Sequence, residues 1–233
     1  RARATALTQP SLLVDPPDGK LPPLTPEAQQ RAAAHQSAGG YPVRLRVGGV
    51  DADGPEGRGV SERCVVGFST GPPMLPAGYN NNIQLFQTPG HVALLNEQNH
   101  DVRVIPLDGR PHVGPQILQW MGDSRGHWEV STLVVETMNF DPKTSYQGSR
   151  DGLHLIERYT RVDENTIDYQ FTVDDPQTFT RPWTVSRPMT QITDRVSIFE
   201  YACHEGNYAM EGILAGARAE EKVAAQGATP GSR

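Results

Sequence analysis

Residues 155–173, LIERYTRVDENTIDYQFTV, carry the clearest structural signal in the sequence. Every second residue from Ile167 to Val173 is apolar, which is the two-residue period of a strand with one buried face. The polar triplet Asp163-Glu164-Asn165 separates this run from the run before it. Two such runs joined by a short turn predict an antiparallel hairpin, and this hairpin indicates the fold class.

The same pattern of short runs and turn residues extends over most of the chain. No helical pattern of about ten residues lies between the runs, which argues against a parallel sheet with crossover helices. We therefore predict an all-β fold, an antiparallel barrel or calycin-like sandwich of about eight to ten strands, because closure removes exposed edges. The predicted strands are 64–69, 83–88, 91–97, 102–107, 132–138, 153–162, 166–174, 183–190 and 196–203.

Two helices are predicted outside the strands. Thr25 is a favourable N-cap and Pro26 suits the first helical position, so we expect a helix over 26–37. Asn207 caps a second helix over about 208–222, in which apolar residues recur at helical spacing. We divide the chain into 1–63, an N-terminal arm with a short helix and a long loop, 64–225, the β-barrel domain with its C-terminal helix, and 226–233, a flexible tail.

Composition excludes several classes of protein. The 233 residues include 21 Lys and Arg against 27 Asp and Glu, a net charge of −6 without a basic block, so we expect no nucleic-acid partner. No apolar run approaches the roughly 18 residues of a membrane span. A glycine-rich phosphate loop is also missing from the sequence, and we predict no cofactor. The sequence starts without Met, and we expect a periplasmic or secreted protein whose signal peptide has been removed.

Cys64 and Cys203 are the two cysteines of the chain. They pair in a disulfide or remain as two buried thiols, and the sequence leaves both alternatives open. A bridge would close a loop of about 140 residues, worth about 5 kcal/mol in the chain-entropy model.

The catalytic candidates lie mainly near the end of the β region. In a strand over 196–203, Glu200 and the following His204 would share one face. If that face is interior, burial shifts their pKa values and makes an acid–base pair; otherwise they form a structural network. We assign His204 or His100 as base, Glu200 as its partner or as acid, and Tyr79 as proton donor.

Other polar and aromatic residues are candidates for holding a small molecule. Strand 153–162 mixes charged and apolar residues on both faces, and a barrel filled only with hydrocarbon would not have this sequence. We assign no metal ligands, although His100, His112, His154 and His204 from separate strands leave an assembled metal site open. The substrate-binding candidates are Asn81, Asn82, Arg103, Trp128, His154, Glu157, Arg158 and Trp183.

Several motifs resemble a large group of exported bacterial proteins of unassigned function. They are LVDPPDG at 13–19, PPLTPE at 22–27, VIPLDGRPH at 104–112, WE at 128–129 with TLVV at 132–135, and EYACHEGN at 200–207. The resemblance covers most of 12–222 and implies export, a bacterial source and a lipocalin-like β architecture, but no activity. Val130-Ser131 stands where the resemblance leads us to expect Gly-Asp, which puts the turn there in doubt.

Two hypotheses for the function follow. The first is a cofactor-independent enzyme doing acid–base chemistry, of lyase, hydratase, isomerase or hydrolase type, on a small plant- or polymer-derived molecule in the barrel pocket. The second is a lipocalin-like protein that binds a small ligand without catalysis. An enzyme needs a His or carboxylate within about 3 Å of another ionisable group in an open pocket, whereas a binder needs an apolar interior. The oligomeric state is open, with a homodimer among the options.

Overall fold

The computed structural model describes residues 11–37, 54–67, 70–76, 78–144, 146–192 and 197–227. Within these ranges the chain forms nine strands and two α-helices. The helices are α1, Pro26–Ser37, and α2, Tyr208–Gly227. The strands are β1 Leu13–Asp15, β2 Ile83–Gln87, β3 His91–Asn96, β4 Val102–Pro106, β5 Asp123–Glu129, β6 Thr132–Met138, β7 His154–Arg161, β8 Thr166–Asp174 and β9 Trp183–Thr190.

The strands form two antiparallel sheets. The large sheet has the order β1-β9-β8-β7-β6-β5, and the small sheet has the order β2-β3-β4. The antiparallel, mostly β architecture with a helix near each end is therefore confirmed. Among the described residues no strand pair joins the two sheets, so the strand pairing does not form a closed barrel.

The hydrophobic core lies between the sheets. Leu94 and Ile105 of the small sheet pack in one buried cluster with Tyr169, Phe171 and Trp183 of the large sheet. β5 comes close to the small sheet at Gly126, where a Cβ would lie 2.8 Å from the side chains of Ile105 and Leu107. A glycine at this position thus permits the close approach of the two sheets.

The predicted hairpin over 155–173 is confirmed. β7 and β8 pair from His154 opposite Asp174 to Arg161 opposite Ile167. The turn is closed by the N–H of Val162, which donates to the carbonyl of Thr166 at 3.0 Å. Alternate residues of both strands are buried, as the two-residue period requires.

Four strand assignments need correction. Residues 64–67 form turns and irregular backbone, with Cys64 at φ 57°, and residues 197–203 pair with no strand. The strands predicted over 64–69 and 196–203 are therefore not present in the described parts of these stretches. Residues 68, 69 and 196 lie outside the described residues. β1 and β5 were not predicted. β5 reads DSRGHWE, and its buried residues are Asp123, Ser124 and Gly126 rather than large apolar ones, so hydrophobic periodicity gives no signal there.

Both predicted helices are present. α1 begins as expected, with the N–H of Ala28 donating to the hydroxyl oxygen of Thr25 at 3.2 Å. α2 begins after Asn207, whose side-chain oxygen accepts from the N–H of Met210 at 3.4 Å, and it continues to Gly227, beyond the predicted end. Of the predicted N-terminal region 1–63, residues 1–10 and 38–53 lie outside the described residues, and so do residues 228–233 of the predicted tail. Within the described part of the chain, no helix has the length and apolarity to cross a membrane.

The described start of the N-terminal arm adds a short strand, β1, to the large sheet. Leu13 of β1 pairs with Val185 of β9, which places residues 13–15 at one edge of that sheet. Farther along, the Thr25 hydroxyl donates to the carbonyl of Gln177 at 2.9 Å and fixes the start of α1 to the same sheet region.

The two cysteines form a disulfide, Cys64–Cys203, with their Cα atoms 5.8 Å apart. Of the two alternatives left open by the sequence, the bridge is therefore correct. It fastens the segment before α2 to the turn at residues 61–64.

Candidate functional site

The predicted acid–base pair Glu200 and His204 does not enter the interior. Both side chains are exposed, and the described part of the predicted strand, 197–203, is unpaired backbone that turns toward α2. Without a strand, the alternation that placed the two residues on one inward face does not apply. Of the two alternatives left open by the sequence, the interior pair is therefore not the one that the structure shows.

His100 and Tyr79, the other two catalytic candidates, both contact Tyr201. The backbone N–H of Tyr201 donates to Nε2 of His100 at 2.7 Å, which occupies the nitrogen that a base would use. The Tyr79 and Tyr201 rings lie nearly parallel with centroids 6.5 Å apart. A hydrogen bond with Tyr201 raises the pKa of the Tyr79 hydroxyl and makes it a weaker proton donor. These contacts hold the C-terminal segment against the body.

The predicted binding residues do not form one site. Trp128 is exposed on β5, whereas Trp183 is fully buried in the core against Phe179 and Phe171. The remaining candidates lie in separate places. Asn81 is exposed, and the N–H of Asn82 donates to Glu97 at 3.1 Å. Each of the others pairs with a different carboxylate: His154 lies 3.2 Å from Glu136, Arg158 donates to Glu129 at 2.8 Å, and Arg103 lies 2.7 Å from Glu157.

The Arg103–Glu157 pair is the centre of a buried polar network between the sheets. Nη1 of Arg103 lies 2.7 Å from Oε2 of Glu157, an ionic contact without hydrogen-bond geometry. Oε1 of Glu157 accepts hydroxyl hydrogens from Tyr159 and Tyr169, each at 2.8 Å. The Tyr169 hydroxyl accepts in turn from the N–H of Met74 at 2.8 Å. This network links the small sheet, the large sheet and the loop before β2.

Burial governs the ionisation of this network. Burial alone lowers the pKa of Arg103, but the charge of Glu157 reverses this effect and the pKa is raised, so the guanidinium stays charged. Burial, followed by the charge of Glu157, raises the pKa of the Tyr159 and Tyr169 hydroxyls well above the usual range. Since Glu157 is fully buried, the network is suited to holding the sheets together rather than to contact with a substrate.

Two surface cavities are present, and the second borders this network at Arg103. One, of about 390 Å³, surrounds the disulfide and is lined by Glu62, Glu200 and Tyr201 among others. The other, of about 490 Å³, lies between β4 and the segment 118–124. Its wall combines apolar side chains such as Val104 and Trp120 with the acidic Asp123.

Asp123 makes this second cavity chemically distinctive. Oδ2 of Asp123 lies 3.0 Å from Nδ1 of His112 and accepts from the N–H of Val113 at 3.0 Å. Oδ1 accepts from Nη1 of Arg125 at 2.7 Å. A carboxylate only accepts, so Nδ1 of His112 carries the hydrogen and Nε2 of the neutral ring keeps its lone pair. No hydrogen bond to Nε2 is present among the described residues.

The loop that carries His112 is fixed by Asn139. The Asn139 side-chain amide donates to the carbonyls of Val113 and Gly114, both at 3.1 Å, and to that of Ile117 at 3.3 Å. Arg125 adds a second anchor, because its Nε donates to the carbonyl of Pro111 at 3.0 Å. The carbonyls of both sequence neighbours of His112, Pro111 and Val113, therefore accept hydrogen bonds that hold this part of the loop in place.

Two other histidines contact carboxylates, but their carboxylate partners are much more exposed to solvent than the partner of His112. In the pair His127–Glu129 the side chains are 53% and 48% exposed and 3.4 Å apart. In His154–Glu136 the carboxylate side chain is 44% exposed. The Asp123 side chain is only 8% exposed, so its bond to His112 is less screened by water than the other two.

Sequence reasoning missed this pair. His112 entered only as one of four separate histidines, and Asp123 lies on β5, a strand without an apolar pattern. The turn that brings them together depends on Asn139, more than 20 residues farther along, and no local spacing indicates it. Among the described residues no group of three or more His, Cys, Asp or Glu could hold a metal ion, so the four histidines are not brought together there.

Comparisons of the chain with models of protein families, with curated proteins and with solved structures found no match.

Proposed function

We propose that the chain is a cofactor-independent enzyme that does acid–base chemistry on a small molecule, with His112 as the general base. The observation that carries this proposal is the 3.0 Å contact between His112 and Asp123, the second of which lines a cavity of about 490 Å³. It replaces the earlier assignment of His204, His100 and Glu200. A histidine oriented by a buried carboxylate beside an open cavity is a common arrangement for proton transfer.

The chemistry follows from the hydrogen bonds of the pair. Nε2 of His112 takes a proton from a bound substrate, and the ring then becomes an imidazolium that Asp123 stabilises through Nδ1–H. Hydrogen bonds from Arg125 and from the Val113 N–H hold the carboxylate in place. The same ring returns the proton to the product in a lyase, hydratase, isomerase or hydrolase reaction. Such proton transfer typically contributes about 10²- to 10⁴-fold in rate.

The cavity lining supports a substrate with an apolar or aromatic part. Val102, Val104 and Leu118 are all exposed there, and Trp120 and Met121 add to the same wall. Exposed apolar side chains around a polar pair are typical of small-molecule sites. A substrate in the cavity would cover these side chains and lie beside Asp123, the partner of the imidazole.

We also propose a periplasmic or secreted location and a calycin-like arrangement of the sheets. The Cys64–Cys203 bond supports the location, because disulfides persist in oxidising compartments. The shared core between two antiparallel sheets supports the arrangement.

Hydrolysis of p-nitrophenyl acetate tests the proposed base without knowledge of the natural substrate. Accessible imidazoles attack or activate water toward this ester, and an oriented ring does so faster. We expect His112→Gln to remove most of the protein-dependent rate and Asp123→Asn to lower it. His127→Gln is the matched control, because His127 contacts a carboxylate outside the cavity. Equal rates for the wild type, His112→Gln and His127→Gln would contradict the proposal.

A further inference from the structure

We infer that the larger cavity takes a short, uncharged peptide segment with apolar side chains, which lies extended along the open edge of β4 and pairs with its backbone. This names the substrate class of the same site, and in that respect it rests on the proposed function. Two features carry it: the unpaired backbone groups of β4 and the residues that line the cavity.

The backbone groups of β4 alternate between its two sides, and two hydrogen bonds at the ends of its pairing with β3 show in which order. The N–H of Asn96 donates to the carbonyl of Asp101, and the N–H of Leu107 donates to that of Gly90, each at 2.9 Å. Both bonds continue the register of the two strands. Hydrogen-bonded pairs occur at every second position of an antiparallel ladder, so Arg103, an even number of residues from Asp101 and from Leu107, bonds to β3.

Val102 and Val104 therefore turn their N–H and C=O groups to the other side of β4. In the described part of the chain no strand pairs with that side, and no hydrogen bond to these four groups is present. Both residues line the larger cavity, whose other wall is the segment 118–124. Two N–H donors and two C=O acceptors, about 7 Å apart along the strand, are thus available to a ligand in the cavity.

An extended peptide has the groups that complement this edge. Its backbone presents an N–H and a C=O on one side at every second residue, which is also the spacing of Val102 and Val104. Addition of a peptide strand to an open sheet edge is a common mode of recognition, in which main-chain hydrogen bonds supply the affinity. The volume of about 490 Å³ is in the range of small-molecule sites, so the bound segment is only a few residues long.

The lining of the cavity determines which side chains this peptide carries. The two charged lining residues, Asp123 and Arg103, each lie 2.7 Å from a partner of opposite charge. All the other lining residues are uncharged, and Leu118 and Trp120 add apolar side chains to the wall opposite β4. A charge on the peptide would be buried there without a partner, which costs free energy. An uncharged, apolar segment is therefore the one that fits.

β2, the opposite edge strand of the small sheet, provides a matched control. The N–H of Thr88 donates to the carbonyl of His91, and the N–H of Glu97 donates to that of Asn82, each at 2.9 Å. Leu85 is an odd number of residues from Thr88 and from Asn82, so its N–H points away from β3. Neither of the two cavities is lined by a residue of β2. Leu85 thus has an edge N–H like that of Val104, but away from these cavities.

Titration of the full chain with the end-blocked peptide acetyl-Ala-Leu-Ala-amide, followed in ¹⁵N–¹H correlation spectra, tests the inference. We expect saturable binding with a dissociation constant in the millimolar range or below, and a shift of the Val104 amide signal. The same peptide N-methylated at all three residues keeps the side chains but has lost the donors that face β4, and it should bind at least about tenfold more weakly. Equal affinity for both peptides, or no saturable binding up to about 10 mM, would overturn the inference.

Two proline variants locate the site on the protein. Val104→Pro removes the N–H that faces the cavity, and an edge strand accepts proline where the N–H is not part of the ladder. We expect this variant to bind acetyl-Ala-Leu-Ala-amide about three- to tenfold more weakly, as loss of one hydrogen bond requires. Leu85→Pro removes the corresponding N–H of β2 and should keep the wild-type affinity. Equal affinities of the two variants would contradict pairing with β4, and the N-methylated peptide gives its answer on the wild type even if Val104→Pro does not fold.

The peptide site and the proposed base fail in different measurements. If the wild type binds the peptide but its p-nitrophenyl acetate rate does not depend on His112, the peptide site stands and the acid–base function is overturned. If the rate depends on His112 but the peptide does not bind, only the peptide site is overturned.

Discussion

The guanidinium of Arg103, on the small sheet, lies 2.7 Å from the carboxylate of Glu157, on the large sheet, with only 4% and 0% of their side chains exposed. This pair and the two tyrosines bonded to Glu157 link the sheets at a point where no strand pairing does so. Arg103 also belongs to β4, which forms one wall of the larger cavity. The network therefore holds in place one wall of the cavity that Asp123 also lines.

Breaking this pair should cost much more than breaking an exposed one. Glu157→Gln leaves the charge of Arg103 buried without its partner, and we expect the free energy of unfolding to fall by about 3–5 kcal/mol in urea denaturation. The double variant Arg103→Met with Glu157→Leu should lose less than Glu157→Gln alone, because no charge remains buried.

The exposed pair Arg158–Glu129 provides the control. Its atoms are 2.8 Å apart, but the side chains are 41% and 48% exposed. Glu129→Gln should lower the free energy of unfolding by less than about 1 kcal/mol. Equal losses for Glu129→Gln and Glu157→Gln would show that burial does not determine the strength of these pairs.

Two tyrosines should resist ionisation in alkali. Burial raises the pKa of Tyr159 and Tyr169 in the folded state above the unfolded value of about 10. Their contribution to stability is therefore full below about pH 10 and is lost as the pH rises above it toward the folded-state pKa. In a titration followed by tyrosinate absorbance, these two hydroxyls should stay protonated until the protein unfolds.

Single Phe variants identify the two signals. Tyr159→Phe and Tyr169→Phe should each reduce only the late absorbance step that accompanies unfolding. Tyr208→Phe, at an exposed tyrosine, should reduce the early step instead. An early step that shrinks in Tyr169→Phe would show that its hydroxyl is accessible to hydroxide.

Val130 should be a position where glycine stabilises the fold. It lies in the two-residue turn between β5 and β6, is fully exposed, and has φ 54°. This left-handed conformation costs an L-residue about 1–2 kcal/mol, and the first central position of such a turn favours glycine. After the greater chain entropy of glycine is subtracted, we expect Val130→Gly to raise the free energy of unfolding by about 0.5–1 kcal/mol.

Val162 is the control for this substitution. It is also an exposed valine next to a hairpin turn, but it is not in the left-handed region. Val162→Gly should therefore destabilise the protein in the same thermal or urea denaturation. If both glycine variants are destabilised equally, the left-handed backbone of Val130 carries no cost.

The disulfide should stabilise the folded state by limiting the unfolded chain. Its cysteines are 139 residues apart, and the chain-entropy model gives about 5 kcal/mol for a loop of this length. We expect the double variant Cys64→Ser, Cys203→Ser to lose stability of that order, and a reducing agent to lower the melting temperature of the wild type but not of the double variant. A reductant effect of equal size on both proteins would assign the loss to another cause.

The sequence was informative wherever one face of a strand is apolar. β6, β8 and β9 have the predicted bounds because alternation and turn residues define both ends. β5 was missed because its buried residues are Asp123, Ser124 and a glycine, which give no apolar alternation. The stretch 196–203 is rich in β-forming residues, but over its described part, 197–203, it is unpaired backbone that ends in the turn at Cys203.

The His112–Asp123 contact could not be predicted from the sequence either, because it also lacks a periodic pattern. His112 and Asp123 are 11 residues apart, and no helix or strand period brings residues at that spacing together. Their contact depends on a loop shape fixed by Asn139 at 58° in φ, together with the guanidinium of Arg125. In contrast, the end-of-strand cluster around Glu200 was conspicuous in sequence because it is polar, and it is polar because it lies on the surface.

The tautomer of His112 tests the central claim most directly. Long-range ¹⁵N–¹H correlation spectra of the neutral ring distinguish the two nitrogens and need no substrate. We predict hydrogen on Nδ1 and a bare Nε2 in the wild type, with a change toward hydrogen on Nε2 in Asp123→Asn, whose amide can donate to Nδ1. A wild-type ring with hydrogen on Nε2, unchanged in Asp123→Asn, would show that Asp123 does not orient His112 and would contradict its role as the base.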